Sequence, residues 1–186
     1  MDMSAETTEW TAAMARSLPD DGNRYEVLDG ELFVTPAPTA SHQRIVGELF
    51  VRLREYVRQH SLGEALFSPA DIEFSSRRLL QPDLFVVPNV GTGRVRHWSE
   101  IKTLVVAAEV VSPSTARADR HRKRIIYQSQ HVPEYWIVDG DARLVERWRP
   151  DDDRPEIVAE ELMWRPPGDV APLVIDLPRL FADALD

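Results

Sequence analysis

From residue 45 onward, apolar side chains return every four positions, at Ile45, Leu49, Leu53 and Val57, and Val46, Phe50 and Tyr56 widen the stripe. That period predicts a long amphipathic helix beginning at Ser41 and ended by Gly63, with its charged positions on the other face. A weaker helical spacing, Trp10, Ala13, Met14 and Leu18, predicts an N-terminal helix over 5–17, stopped by Pro19 and the Asp20-Asp21-Gly22 turn. Tyr25-Glu26-Val27-Leu28 and Leu32-Phe33-Val34 flank Asp29-Gly30, the pattern of a tight hairpin, and Pro36 and Pro38 stop its second strand. Three strand-type segments are expected near 64–75, 79–88 and 103–112, with Asn89-Val90-Gly91-Thr92-Gly93 as a turn before the third. The third is almost wholly apolar and fits a strand buried on both faces. Ser114 or Thr115 can cap a helix over 115–130. Tyr135-Trp136-Ile137-Val138 and Leu144-Val145-Glu146-Arg147-Trp148 then form a second hairpin across Asp139-Gly140-Asp141. Further short strands and a terminal helix near 178–185 complete a mixed sheet in an α/β or α+β chain.

Two carboxylates interrupt the apolar runs. Asp83 stands in Gln81-Pro82-Asp83-Leu84-Phe85-Val86-Val87, and Glu109 in Leu104-Val105-Val106-Ala107-Ala108-Glu109-Val110-Val111. An ionised carboxylate in a core strand loses its hydration and is tolerated only when paired, neutralised or bound to a cation. Hard divalent ions such as Mg2+ or Mn2+ suit these oxygens, so two acids on neighbouring buried strands point to a metal-assisted hydrolase. The alternative is a pair of structural acids held in salt bridges.

The 186 residues are 43% hydrophobic and 28% charged, an ordinary globular composition with enough chain for one substantial core. No apolar run approaches the roughly 18 to 20 residues of a membrane span, and the N-terminus lacks a basic start and an apolar stretch, so a soluble cytoplasmic protein is expected. The chain has no cysteine, which excludes disulfides and thiolate-held zinc or iron-sulfur sites. A net charge of -9 argues against a nucleic-acid partner until its distribution is considered. Residues 151–186 hold 10 acids and 3 bases, whereas residues 1–150 hold 21 acids and 19 bases. Arg117, Arg120, Arg122, Lys123 and Arg124 cluster around Asp119, a run whose commoner meaning is a solvated helix face.

The succession Tyr25-Glu26-Val27-Leu28-Asp29-Gly30-Glu31-Leu32, His42 opening a helix, Pro82-Asp83, Glu109-Val110-Val111-Ser112-Pro113-Ser114, Asp119 with Lys123 and Tyr127, and Val132-Pro133-Glu134-Tyr135-Trp136-Ile137-Val138-Asp139 resembles the Uma2 family over about residues 24–150. That family is similar to a branch of the PD-(D/E)XK restriction-endonuclease-like superfamily. The resemblance implies a central mixed β-sheet flanked by helices, a Mg2+ (or Mn2+) site, and hydrolysis of phosphodiester bonds in nucleic acid, DNA first. It implies that residues 1–20 are a helical extension and 21–186 a single nuclease-fold domain, with 151–186 packed on or trailing it. Asp83 and Glu109 match the two acidic positions of the signature and would hold the metal. The signature's lysine should stand two residues after the second acid, where this chain has Val111. Lys123, on the helix after the Glu109 strand, is the expected substitute, against the plainer reading of a surface pair with Asp119 at i, i+4. Glu31 resembles a further acidic position of the family. His42 and Gln43 are candidates for contacts to phosphate or water.

Neither Ser112 nor Ser114 lies in a nucleophile elbow, and no phosphate-cradling Gly-x-x-x-x-Gly-Lys loop is present. Tyr127, Tyr135 and Trp136 are expected to pack helix on sheet more than to stack on bases. A homodimer is a further expectation, since two strands can demand two sites, with Trp98 or Trp164 at its interface. Removing either acid is expected to leave the fold largely intact. The rival functions are a binding module on a nuclease scaffold, and a metal-dependent hydrolase acting on something other than nucleic acid.

Overall fold

Residues 9–89 and 94–186 are described by a computed structural model of the chain. The start of the expected N-terminal helix and the Val90-Gly91-Thr92-Gly93 part of the expected turn lie outside them. Within them the first helix, α1, is shorter than its apolar spacing predicts. It spans Ala12–Arg16, with the Thr11 hydroxyl accepting from the Met14 N–H as N-cap. Ala12 and Ala15 pack it onto Val27 and Leu79.

The Asp29-Gly30 signal is met by a two-residue hairpin, β1 (Arg24–Leu28) and β2 (Glu31–Thr35), with Asp29 and Gly30 both at positive φ. The long period forms α2 (Ala40–Gln59), capped by Thr39. Gly63 does not end it. The helix stops four residues earlier, where Ser61 takes the left-handed conformation, and Gly63 opens the next strand at φ +147° because a Cβ there would meet the Val87 carbonyl oxygen at 1.9 Å.

The three apolar segments yield five strands, because two of them cross between sheets. Residues 64–75 divide at Ser68-Pro69-Ala70 into β3 (Gly63–Phe67) and β4 (Ile72–Ser75). Residues 79–88 divide at Gln81-Pro82-Asp83 into β5 (Arg78–Leu80) and β6 (Leu84–Pro88). Proline carries no N–H for a sheet ladder, so each break falls beside one. The third segment narrows to β7 (Val106–Val110).

The predicted helix over 115–130 contains an irregular middle. One α-turn, α3 (Ala116–Ala118), runs into a π-helical turn at Asp119–Lys123 and resumes as α4 (Arg124–Ser129). The second hairpin, β8 (Glu134–Asp139) and β9 (Leu144–Trp148), follows as expected. The acidic segment then supplies β10 (Glu156–Val158), β11 (Glu161–Trp164), β12 (Leu173–Asp176) and α5 (Leu177–Leu185).

A six-stranded mixed sheet of order β10-β9-β8-β7-β6-β3 lies at the centre, with β7 and β8 parallel and its other neighbours antiparallel. Alternation along its strands divides the core. Leu84, Val86, Val106, Ala108, Trp136 and Val138 face α2, α5 and the β11–β12 pair. Phe85, Val87, Ala107, Tyr135 and Ile137 face α4 and the four-stranded sheet β2-β1-β5-β4. Trp164 is 1% exposed, its ring 6.5 Å from that of Trp136. It is a core residue, not the interface aromatic its sequence position suggested. Among the described residues no helix is long and apolar enough to cross a membrane.

Candidate active site

Asp83 lies one residue before β6 rather than within a core strand. Pairing between β6 and β7 stops at Leu84 and Ala108. Past that point, Asp83 Oδ2 accepts the Val110 backbone N–H at 2.9 Å, so the carboxylate continues the ladder. The same oxygen is 2.9 Å from His42 Nε2, and Oδ1 accepts from Arg24 Nη1 at 2.6 Å. The β3–β4 crossing steadies this corner, since the Ser68 N–H donates to the Asp83 carbonyl at 3.1 Å. Burial pushes the Asp83 carboxyl up, but the His42 hydrogen bond and the charges of His42, Arg24 and Lys123 outweigh it and hold the pKa at about 2. These bonds argue against the expectation that removing this acid leaves the fold largely intact, because its loss would strand Arg24 and the Val110 N–H.

Glu109 is within β7, on the sheet face that carries Ala107 and Tyr135. Its Oε1 accepts from Lys123 Nζ at 3.1 Å and from the Tyr127 hydroxyl at 3.2 Å. Burial, with the Asp83, Asp119 and Glu26 charges added, raises the Glu109 pKa well above its ordinary value despite the opposing Lys123 charge. Val111, at the expected lysine position, packs against the second core.

Lys123 is 2% exposed. It is no surface partner of Asp119. Its ammonium lies 3.0 Å from Glu26 Oε2 and 3.1 Å from Glu109 Oε1, and 3.5 Å from Asp119 Oδ1, close enough for ionic attraction but long for a hydrogen bond. The π-helical turn begins at Asp119 and ends at Lys123, and both side chains are buried while His121 between them is exposed. The neighbouring cations are also engaged: Arg120 with Asp139 and Glu146, Arg122 with Glu31, and Arg124 over the Trp148 ring. The solvated-face reading therefore holds in part only, for exposed Arg117.

Asp83, Glu109, Lys123 and His42 thus converge on one cavity of about 410 Å³. Its walls add Arg24, Thr35, the Pro36–Thr39 segment, Ser41, and residues 110–115. Glu31 and Gln43 are not brought in. Glu31 opens β2 with its side chain 76% exposed and bound to Arg122 at 3.1 Å, and Gln43 is exposed on α2. The acid that joins the cluster from this hairpin is Glu26, 1% exposed, whose Oε1 also accepts the Gln81 N–H at 2.8 Å. A charge between Tyr25 and Val27-Leu28 is the same signal that marked Asp83 and Glu109. Arg24 has no such signal, being a polar residue at a strand start. Tyr127 and Tyr135 pack between helix and sheet, as expected, and Tyr127 adds its hydroxyl to Glu109.

Glu26, Asp83, Glu109 and Asp119 form a buried set of four carboxylates against two permanent cations, Arg24 and Lys123. The set has an excess of two negative charges when fully ionised and His42 is neutral. Among the described residues no three His, Asp or Glu side chains converge as a ready ligand group.

The Uma2 family model, described as "Putative restriction endonuclease", matches residues 12–180. Among solved structures, a "putative nuclease belonging to DUF820" from Anabaena variabilis ATCC 29413 superposes with a TM-score of 0.73. It has 18% sequence identity, and the match covers 94% of this chain and 99% of that one. At that identity the likeness establishes the fold. No curated protein matches the chain.

Proposed function

The chain belongs to the Uma2 family, and from that premise we propose that it is a divalent-metal-dependent endonuclease that hydrolyses phosphodiester bonds in nucleic acid, DNA first. The observation that carries this reading is the charge of the buried cluster. With all four carboxylates ionised the cluster lacks two positive charges, a deficit that protons on the raised acids relieve in metal-free protein and that one divalent ion would supply instead, and Asp83 and Glu109 line the same cavity. The carboxylates that line the cavity beside the cluster, Asp83 and Glu109, are hard oxygen donors of the kind that suit Mg2+ or Mn2+, ions that keep several waters and take phosphate oxygens. When bound, such an ion polarises the phosphate and lowers the pKa of its water.

The chain's own groups have distinct tasks. Arg24, His42 and the Val110 N–H orient Asp83. Lys123 brings a fixed positive charge to the cavity from the helix, the role the family pattern gives to the position of Val111. Its ammonium is held by Glu26 as well as by Glu109, so it would keep its place beside the cavity with Glu109 engaged on a divalent ion, and would offer its positive charge to the scissile phosphate or the attacking water.

One observation favours a second reading, a binding module on the same scaffold: every acid near Lys123 already holds it. Calorimetric titration with Mn2+, run beside cleavage assays on single-stranded DNA, double-stranded DNA and RNA, separates the two. The nuclease reading expects Mn2+ binding that Glu109→Gln abolishes, together with cleavage. Metal binding without cleavage of any of the three substrates contradicts it and leaves a metal-dependent hydrolase of another substrate, whereas absence of Mn2+ binding by the wild type favours the module.

A further inference from the structure

Among the described residues, seven buried side-chain polar atoms have no hydrogen-bond partner, and three of them belong to residues lining the cavity: Arg24 Nε, Thr35 Oγ1 and His42 Nδ1. A polar side-chain atom left unpaired in the interior is costly, so donors left over on neighbouring residues of one cavity wall call for a partner. Two are donors toward an anion. Arg24 spends Nη1 on Asp83 and keeps its Nε–H free, and Thr35 is 2% exposed with its hydroxyl unused. His42 is different. Its Nε2 is engaged with Asp83, and the role of Nδ1 depends on the protonation of the ring, so it is not counted among the donors.

Arg24 and Thr35 are direct partners across the β1–β2 ladder, so their side chains leave the hairpin side by side. The chain continues from Thr35 through the Pro36–Thr39 wall into the N-terminus of α2, a 20-residue helix whose Ser41 lines the same cavity. The Thr39 hydroxyl accepts the His42 N–H, and the N–H groups that precede it in the first turn of α2 have no acceptor within the helix, where the dipole favours negative charge. Ser112, Ser114 and Thr115 also line the cavity, with their hydroxyls hydrogen-bonded among themselves.

We propose that the β1–β2 and α2 wall is a phosphate subsite, in which Arg24 Nε, the Thr35 hydroxyl and the start of α2 hold a backbone phosphate of the substrate beside the acid cluster. The assignment rests on the nuclease reading for the identity of the substrate, while the anion site itself rests on the unpaired donors. Arg24 then links the two parts of the cavity, one nitrogen on Asp83 and another on phosphate. The excess negative charge of the acids repels an anion, so the subsite fills best when a divalent cation is present.

The test is calorimetric titration of the protein with inorganic phosphate, with and without Mg2+, followed by competition with a tetrathymidylate. Wild-type protein is expected to bind phosphate more tightly with Mg2+, and the oligonucleotide to displace it. Thr35→Val, which removes the hydroxyl at nearly constant shape, is expected to weaken phosphate binding about tenfold with Mg2+ affinity unchanged, the loss of one hydrogen bond to a charged group. Arg24→Lys keeps a cation for Asp83 but loses the second donor of the fork, and is expected to weaken phosphate binding by a similar factor. Folding of both variants is checked by circular dichroism. Equal phosphate affinity in wild type and Thr35→Val, or no phosphate binding by wild type, overturns the subsite. Phosphate that the oligonucleotide fails to displace overturns its assignment to the substrate. Failure of the nuclease reading has a separate signature, absence of cleavage, which these binding measurements do not use.

Discussion

Lys123 shows how much one side chain can depend on its neighbours. Burial lowers the pKa of its ammonium, but the charges of Glu109, Glu26 and Asp119 raise it more, to well above the ordinary lysine value. A raised folded pKa means that this stabilisation is complete below the unfolded value of 10.5 and is lost only as pH rises through the folded one. Lys123→Ala at pH 7 should therefore cost about 3–5 kcal/mol, read from urea unfolding, because it leaves buried carboxylates without their cation. Asp83 acts in the opposite range. Its pKa is depressed to about 2, so its contribution is present above the unfolded 3.8 and is lost as pH falls from there toward 2. Glu109, with a raised pKa, opposes folding as pH climbs past its unfolded 4.5. In metal-free protein, Glu109→Gln should accordingly be more stable than wild type at pH 8, with the difference vanishing near pH 4; equal melting temperatures at pH 8 would refute this. Asp83 and Glu109 were legible because a charge inside an apolar run has to be explained, and Lys123 because Val111 left a cation missing. Glu26 carried the same signal. Arg24 did not, since only the pairing of β1 with its neighbours brings it to Asp83.

At the scale of elements, the hairpins and α2 follow directly from turn residues and a four-residue period. The strand crossings do not. Residues 64–75 and 79–88 each read as one strand because apolar positions continue past Pro69 and Pro82, yet those prolines are where the chain leaves one sheet for the other. The second crossing places Asp83 at the end of the β6–β7 ladder instead of inside it. The π-helical turn was equally hidden, since nothing in Asp119-Arg120-His121-Arg122-Lys123 departs from an ordinary helical composition. Its widening follows from tertiary demands: two oppositely charged side chains enter one buried cluster. Gly63 gives a test at this scale. Gly63→Ala combines a positive φ with a clash against the Val87 carbonyl, so it should cost at least about 2 kcal/mol in chemical unfolding and loosen the edge pairing of β3 with β6. An unfolding midpoint unchanged by the substitution would show that the edge strand tolerates the shift.

Taken whole, the molecule surrounds one mixed sheet with apolar contacts on both faces and opens that sheet at one end onto a cavity where Asp83 and Glu109 front a buried cluster of four carboxylates and two cations. The acidity of residues 151–186 is separate from this. Their apolar side chains, Leu162, Trp164, Ile175, Leu180 and Phe181, complete the core on the α2 side, while most of their acids stay at the surface. A divalent ion that binds the folded cavity and not the unfolded chain stabilises by mass action, about 2.7 kcal/mol at a hundred times its Kd. Addition of Mn2+ should raise the melting temperature, and chelation should reverse the rise. The account as a whole depends most directly on cleavage of supercoiled plasmid DNA by purified protein in Mg2+ or Mn2+. Wild-type protein should nick the plasmid, and Glu109→Gln, folded but without its metal carboxylate, should lose at least about 100-fold in rate; an intact plasmid with the wild type, or equal nicking by Glu109→Gln, would contradict it.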